Sequence, residues 1–118
     1  MATIQGIFIA LFGRPADPLG LAFWNSQTKN GTDLTKLING DPSIGLGPLA
    51  GEPEYTNRFV GQTDPQIVNS IFVSLFGHDA DPVGLAFYVN LLATGQAKIA
   101  DIAIRIYDGA KNADLATL

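Results

Sequence analysis

A block of eighteen residues occurs twice in the chain, 64 positions apart and without a gap. Residues 7–24 read IFIALFGRPADPLGLAFW, and residues 71–88 read IFVSLFGHDADPVGLAFY. Self-similarity at a fixed period is typical of a repeated supersecondary unit. We therefore predict a single domain over residues 1–118, with a first repeat at residues 1–62 and a second repeat at residues 63–118.

Apolar residues in both repeats recur at the spacing of an α-helix. In residues 67–76 they form one stripe, Thr63 and Gln66 before it have the spacing of a capping box, and Gly77 is suited to end the helix. No alternation typical of strands is present. The predicted class is all-α, with two tandem copies of a three- to four-helix repeat packed into one compact helical domain. Further helices are predicted over residues 33–39, 52–60 and 97–108.

Asp17 and Asp81 each precede a proline inside the repeated block. An aspartate there can accept hydrogen bonds from the exposed amides of a new helix, and a proline at the first position leaves no amide unpaired. Both residues are predicted as helix N-caps.

Asp79 and Asp81, with Gly84, also match positions one, three and six of a calcium-binding loop. Val83 and Asn90 stand where that loop needs further ligands, so the match is incomplete. No cofactor is predicted, and calcium at Asp79 and Asp81 stays as an alternative.

Composition and charge exclude several classes of function. Eleven acidic and seven basic residues give a net charge of −4, and the basic residues are scattered singly, which argues against nucleic acid. No apolar run is long enough for a transmembrane segment, and residues 4–12 lack the flanks of a signal peptide. Charged residues form only 15% of the chain, against roughly 25% in typical soluble domains, which points to apolar surface facing a partner.

The sequence also predicts that the chain is not an enzyme. Its sole histidine, His78, stands where the first repeat has Arg14. That exchange indicates an exposed polar turn, whereas a general base would need a nucleophile beside it. None of the common hydrolase or phosphate-binding motifs is present.

The aromatic residues of the repeated block have two interpretations. Trp24 and Tyr88, with Phe23 and Phe87 beside them, fall at equivalent places, as a repeated core requires; stacking of Trp24 or Tyr88 on sugar rings is the alternative.

Residues 40–52, rich in glycine and proline, are predicted as a long loop. It is either a connector or a contact loop that exposes its apolar residues, which are Ile44, Leu46 and Leu49.

The stretch LFGRPADPLGLAFW resembles a short helical repeat of the LFGRxPDxxGLxFW type, a domain of unknown function in bacterial S-layer and RTX-type secreted proteins. The resemblance covers nearly the whole chain. Departures are His78 and Tyr88 in the second repeat, where the pattern has arginine and tryptophan. Four residues are similar to an E-Y-x-x-R-F element of that repeat: Glu54, Tyr55, Arg58 and Phe59.

The resemblance implies an extracellular or cell-surface setting reached by type I secretion, with a cytoplasmic location left open. The leading hypothesis is attachment of an S-layer or secreted protein to surface polysaccharide or lipopolysaccharide. Trp24, Tyr55 and Tyr88 would then stack on sugars, while Glu52 or Asp79 would hold hydroxyl groups directly or through calcium. The alternative is a protein–protein interaction or self-assembly module that binds other copies of itself.

Overall fold

The computed structural model describes residues 2–110 and residue 114, so a few residues at the two ends of the predicted domain lie outside the described part. Within that part the chain is helical, with one antiparallel bridge between Asp41 and Leu46 and no strand. The predicted all-α class is confirmed for these residues. The helices are α1 Ile4–Phe12, α2 Pro18–Gln27, α3 Thr35–Asn39, α4 Pro53–Arg58, α5 Asp64–Phe76, α6 Pro82–Ala93 and α7 Ile99–Asp108.

Helix α1 lies at the centre and packs against α5, α7, α2 and α4. Its apolar residues enter one core that also holds residues of the other long helices, among them Ile71 and Ile102. The radius of gyration is 13.7 Å. A compact chain of this length should have about 13.5 Å, so the helices form one compact body.

Local sequence signals set the ends of the long helices. Both α1 and α5 end at a left-handed glycine, Gly13 with φ 74° and Gly77 with φ 76°. A side chain would strain the backbone at these positions, so glycine suits them. At the start of α5, Thr63 and Gln66 form the predicted capping box, and each side chain bonds the other residue's amide.

The two predicted aspartate caps are confirmed. The carboxylate of Asp17 accepts a hydrogen bond from the amide of Gly20 at 2.7 Å, and Asp81 accepts one from Gly84 at 2.8 Å. Each cap is followed by a proline in the first turn of its helix. The same local chemistry therefore starts α2 and α6.

The segment over residues 40–52 is more ordered than a free loop. It contains two short 3₁₀ turns, Pro42–Ile44 and Leu49–Gly51, and the second packs against α3, α4 and α7. Leu49 is only 2% exposed, so the contact-loop alternative is wrong for this residue, whereas Ile44 is exposed as that alternative requires. The turn carries Leu49 into the core because burial of its side chain is favourable.

Candidate binding surface

A pocket, which we call the first pocket, lies between α1, α2 and the segment that leads into α4. Its cavity volume is about 330 Å³. Aromatic rings from two helices form one side of it, and leucines of the 40–52 segment form the other. Its apolar lining residues are Phe8, Phe12, Phe23, Trp24, Leu46 and Leu49.

The rim of the first pocket is charged. Arg14 donates to Glu54 Oε1 at 2.7 Å and to the backbone oxygen of Pro15 at 3.0 Å. The guanidinium lies over the ring of Phe12, 5.9 Å from its centroid. The hydrogen bond to Glu54 raises the pKa of Arg14. Glu52 lines the same pocket, so the rim carries two carboxylates and one cation.

A second pocket lies between α5, α6 and the residues after α7, with a volume of about 360 Å³. Its aromatic residues Phe72, Phe76 and Tyr88 stand 64 positions after Phe8, Phe12 and Trp24. The carboxylates of Asp81 and Asp114 also line it, so its wall is more polar than that of the first pocket.

His78 is exposed, as predicted, and both of its ring nitrogens have partners. Nδ1 lies 2.7 Å from the backbone oxygen of Asp79, and Nε2 lies 2.6 Å from Asp114 Oδ1. The ring stacks on Phe76 at 5.9 Å and 21°. The contact with the Asp79 carbonyl and that with the Asp114 carboxylate raise the pKa of His78. The histidine thus makes the same three kinds of contact that Arg14 makes 64 positions earlier.

Gln5 and Asn69 hold the turns behind the two pockets. The side-chain oxygen of Gln5 accepts from the amide of Ala16 at 2.6 Å, and that of Asn69 accepts from the amide of Ala80 at 2.8 Å. The two pairs are separated by 64 positions. The role of these residues was not predicted from the sequence. A usable signal was present, because an amide side chain stands at position 5 and again 64 positions later.

The E-Y-x-x-R-F element ties α4 to its neighbours. Glu54 bonds Arg14 at the end of α1, and Arg58 Nη2 donates to Ser74 Oγ on α5 at 2.9 Å. The Arg58 guanidinium also lies 4.9 Å from the centroid of the Phe59 ring. Burial lowers the pKa of Arg58. The element therefore joins α4 to the end of α1 and to α5 near the first pocket.

Trp24 and Tyr55, two predicted sugar-stacking residues, are buried. Trp24 is 5% exposed and meets the edge of Phe23 at 84° in the wall of the first pocket. Tyr55 is 8% exposed and packs against Phe59, with 4.8 Å between ring centroids. Burial raises the pKa of Tyr55 to about 12. Other side chains therefore cover most of the surface of both rings.

The remaining predicted site residues do not form one group, although Tyr88 and Asp81 both line the second pocket. Tyr88 is half-buried in the second pocket, and Glu52 is exposed beside the first. Asp79 accepts from the Asn69 amide at 2.9 Å, while Asp81 caps α6. Within residues 2–110 and residue 114, no three acidic or histidine side chains are grouped to hold a metal ion.

Exposed apolar pairs recur on α2 and α6. Leu19 is 85% and Phe23 44% exposed on α2, and the equivalent residues of α6, Val83 and Phe87, are 81% and 56% exposed. Residues four apart share one face of a helix. Neither α2 nor α6 contains a charged residue. We call these surfaces the α2 face and the α6 face.

The assignment of Phe23 and Phe87 to the core is therefore wrong. Each follows an exposed alanine, Ala22 or Ala86, and the aromatic residue after each, Trp24 or Tyr88, is the one that turns inward. The two faces were missed because these helices are apolar on several sides.

Comparison with known proteins adds nothing to this description. No protein-family model, curated protein or solved structure matches the chain. None of the helices over the described residues is long and apolar enough to cross a membrane. Function is therefore inferred from the chemistry of the two faces and the two pockets.

Proposed function

We propose that the chain is a non-catalytic module that binds another protein through the α2 face and the α6 face. The observation that carries this proposal is the recurrence of an exposed apolar pair on an uncharged helix, 64 positions apart. Contiguous exposed apolar surface marks interaction sites, and large aromatic side chains supply much of the binding free energy. Phe23 and Phe87 are the expected anchors.

We also propose that the domain consists of two tandem copies of one helical unit. The left-handed glycines after α1 and α5, the aspartate caps of α2 and α6, and the amide contacts of Gln5 and Asn69 support this. A repeated unit presents its binding face twice, and two linked weak contacts give a stronger overall attachment.

The contacts of His78 support a non-enzymatic role. One ring nitrogen faces the Asp79 carbonyl and the other the Asp114 carboxylate, so both are occupied in a fully protonated ring. A general base needs a free nitrogen lone pair within reach of a nucleophile. The resemblance to repeats of S-layer and RTX-type proteins supports an exported or cell-surface setting for the module.

Attachment to polysaccharide or lipopolysaccharide is the second candidate function. The first pocket favours it, because Trp24 forms its wall and Glu52 its rim. Protein binding is preferred because the Trp24 ring is buried, whereas Phe23 and Phe87 are exposed.

Binding of the purified chain to envelopes of the organism that encodes it separates the two functions. Protease treatment of the envelopes should abolish binding, and periodate oxidation of their glycans should leave it intact. Combined replacement of Phe23 and Phe87 by serine should weaken binding at least about tenfold, the usual effect of losing interface anchors. Val60→Ser and Ile44→Ser, at exposed positions outside the two faces, serve as controls. Periodate-sensitive, protease-resistant binding would contradict the proposal and support glycan attachment.

A further inference from the structure

We infer that the first pocket receives a basic side chain of the protein bound at the α2 face, and that the cation pairs with the carboxylate of Glu52. This inference rests on the proposed function, since it names the chemistry of the partner at one of the two faces. The occupant is a segment of the partner in which a basic residue stands beside apolar residues.

The first pocket and the α2 face are continuous. Phe23 belongs to both, because its ring lines the pocket and is also 44% exposed on α2. Leu19 lies one turn earlier on the same helix and does not line the pocket, so it extends the apolar surface beyond the pocket mouth. A partner segment that covers these two residues therefore lies beside the mouth and can place a side chain in the pocket.

The carboxylate of Glu52 is the charged group on the pocket rim that has no partner. Within the described part of the chain it makes no hydrogen bond and no ion pair, and the residue is exposed. The other two charged groups are paired with each other, because Arg14 donates to Glu54 Oε1 at 2.7 Å. With two carboxylates and one guanidinium, the rim keeps one uncompensated negative charge. A cation is the complementary ligand for this rim.

The carboxylates that line the second pocket already have partners. Asp81 accepts from the amide of Gly84 at 2.8 Å, and Asp114 lies 2.6 Å from Nε2 of His78. Of the two pockets, the first is therefore the one whose charge favours an incoming cation.

The walls of the first pocket suit the apolar stem of a basic side chain. Four aromatic rings and two leucines surround a volume of about 330 Å³. An apolar cavity of about 150 Å³ suffices to bind benzene, so a chain of methylene groups fits this space. Long basic side chains bury such stems on apolar surface and keep the charge at the water boundary, where Glu52 lies. Aromatic rings add a favourable interaction with the cation.

Binding of three tripeptides to the full chain tests the inference. Each is acetylated and amidated, has phenylalanine at both ends, and carries lysine, uncharged norleucine or glutamate in the middle. The sole tryptophan, Trp24, lines the first pocket and not the second, so its emission reports binding at the first. The lysine peptide should bind about fivefold more tightly than the norleucine peptide, as expected for one exposed ion pair with aromatic rings nearby. The glutamate peptide should bind more weakly than either.

Two variants show whether Glu52 is responsible. Glu52→Gln should remove most of the preference for lysine and change the affinity for the norleucine peptide by less than about twofold, because only the charge pair is lost. Asp101→Asn, which removes a carboxylate of α7 outside the first pocket, should keep the preference. High salt should reduce the preference in the wild type, since it screens an exposed pair. Circular dichroism verifies that each variant is folded.

Three results would overturn the inference. They are equal binding of the three peptides, binding that leaves the emission of Trp24 unchanged, and a preference for lysine that persists in Glu52→Gln.

Envelope binding separates this inference from the proposed function. Glu52→Gln should weaken it by about fivefold, as it weakens binding of the lysine peptide. Envelope binding that depends on Phe23 and Phe87 but not on Glu52 would overturn the inference and leave the proposed function intact. Envelope binding that none of these substitutions weakens would overturn both.

Discussion

The side-chain oxygen of Asn69 accepts a hydrogen bond from the backbone amide of Ala80 at 2.8 Å. The amide of Ala80 lies in the turn before α6, outside any helix, where no backbone carbonyl bonds it. Gln5 does the same for Ala16 before α2. A side chain on α1 therefore holds the turn that leads to α2, and one on α5 holds the turn that leads to α6.

Replacement of Asn69 by alanine should cost about 1–2 kcal/mol of unfolding free energy, because the part-buried amide of Ala80 loses its acceptor. Urea unfolding measures this change. Asn90→Ala, on the exposed side of α6, should stay within about 0.5 kcal/mol of wild type. Equal effects of the two substitutions would contradict the role assigned to Asn69.

Asp17→Ala and Asp81→Ala should each cost about 1 kcal/mol, the usual effect of removing a helix N-cap. Their effects on unfolding should add, because the two caps start different helices and share no partner. Asp81→Asn should retain most of the stability, since asparagine caps nearly as well. A calcium-dependent stabilisation that Asp81→Ala removes, with stability in chelator unchanged, would instead indicate a metal site.

Stability should fall as the pH rises from about 6 to about 8, where histidine titrates. His78 can donate to both the Asp79 carbonyl and the Asp114 carboxylate only when its ring is fully protonated. These contacts raise its pKa above 6.5. The protonated ring therefore stabilises the folded state fully below the unfolded pKa. That contribution is lost as the pH rises through the higher folded pKa. Thermal unfolding across this range measures the change.

The control is His78→Arg, which places in the second repeat the residue found at Arg14 in the first. Arginine stays charged over the whole range, so the variant should lose the pH dependence. Because His78 is the sole histidine, an undiminished slope would show that another group is responsible.

Gly6→Ala should destabilise the fold by about 1 kcal/mol, although alanine is the better helix former. A methyl group at Gly6 would collide with the ring of Tyr107 on α7. Gly47→Ala, where a methyl meets open space, should be neutral. A double-mutant cycle with Tyr107→Ala should show coupling between positions 6 and 107, and purely additive effects would refute the collision.

The helices and their caps could be predicted because their signals are local. Thr63, Gln66 and Gly77 mark both ends of α5 within its own sequence, and Asp17 and Asp81 mark the starts of α2 and α6. Short-range hydrogen bonds decide these features, whatever packs against the helix. The predictions over α3, α4 and α7 were correct in position, but each was longer than its helix by one or two residues at one end or, for α4, at both ends.

The binding surface could not be predicted in the same way. Leu49 and Phe23 are both large apolar residues, and their local sequence does not distinguish them. Leu49 is nevertheless buried, whereas Phe23 is exposed. Burial depends on which distant segment covers a residue, and the 3₁₀ turn at Leu49 packs on α3, α4 and α7. His78 and Asp114 are 36 positions apart in the sequence, so no local pattern could show that they pair.

The packing of α1 against α7 has a consequence for synthesis of the chain. A ribosome releases α1 before α7, yet α7 is the helix that covers Gly6. Until α7 emerges, the surface of α1 that it covers is exposed to water or bound by a chaperone. Helix α1 therefore has its full set of neighbours only after α7, which carries Tyr107, has emerged.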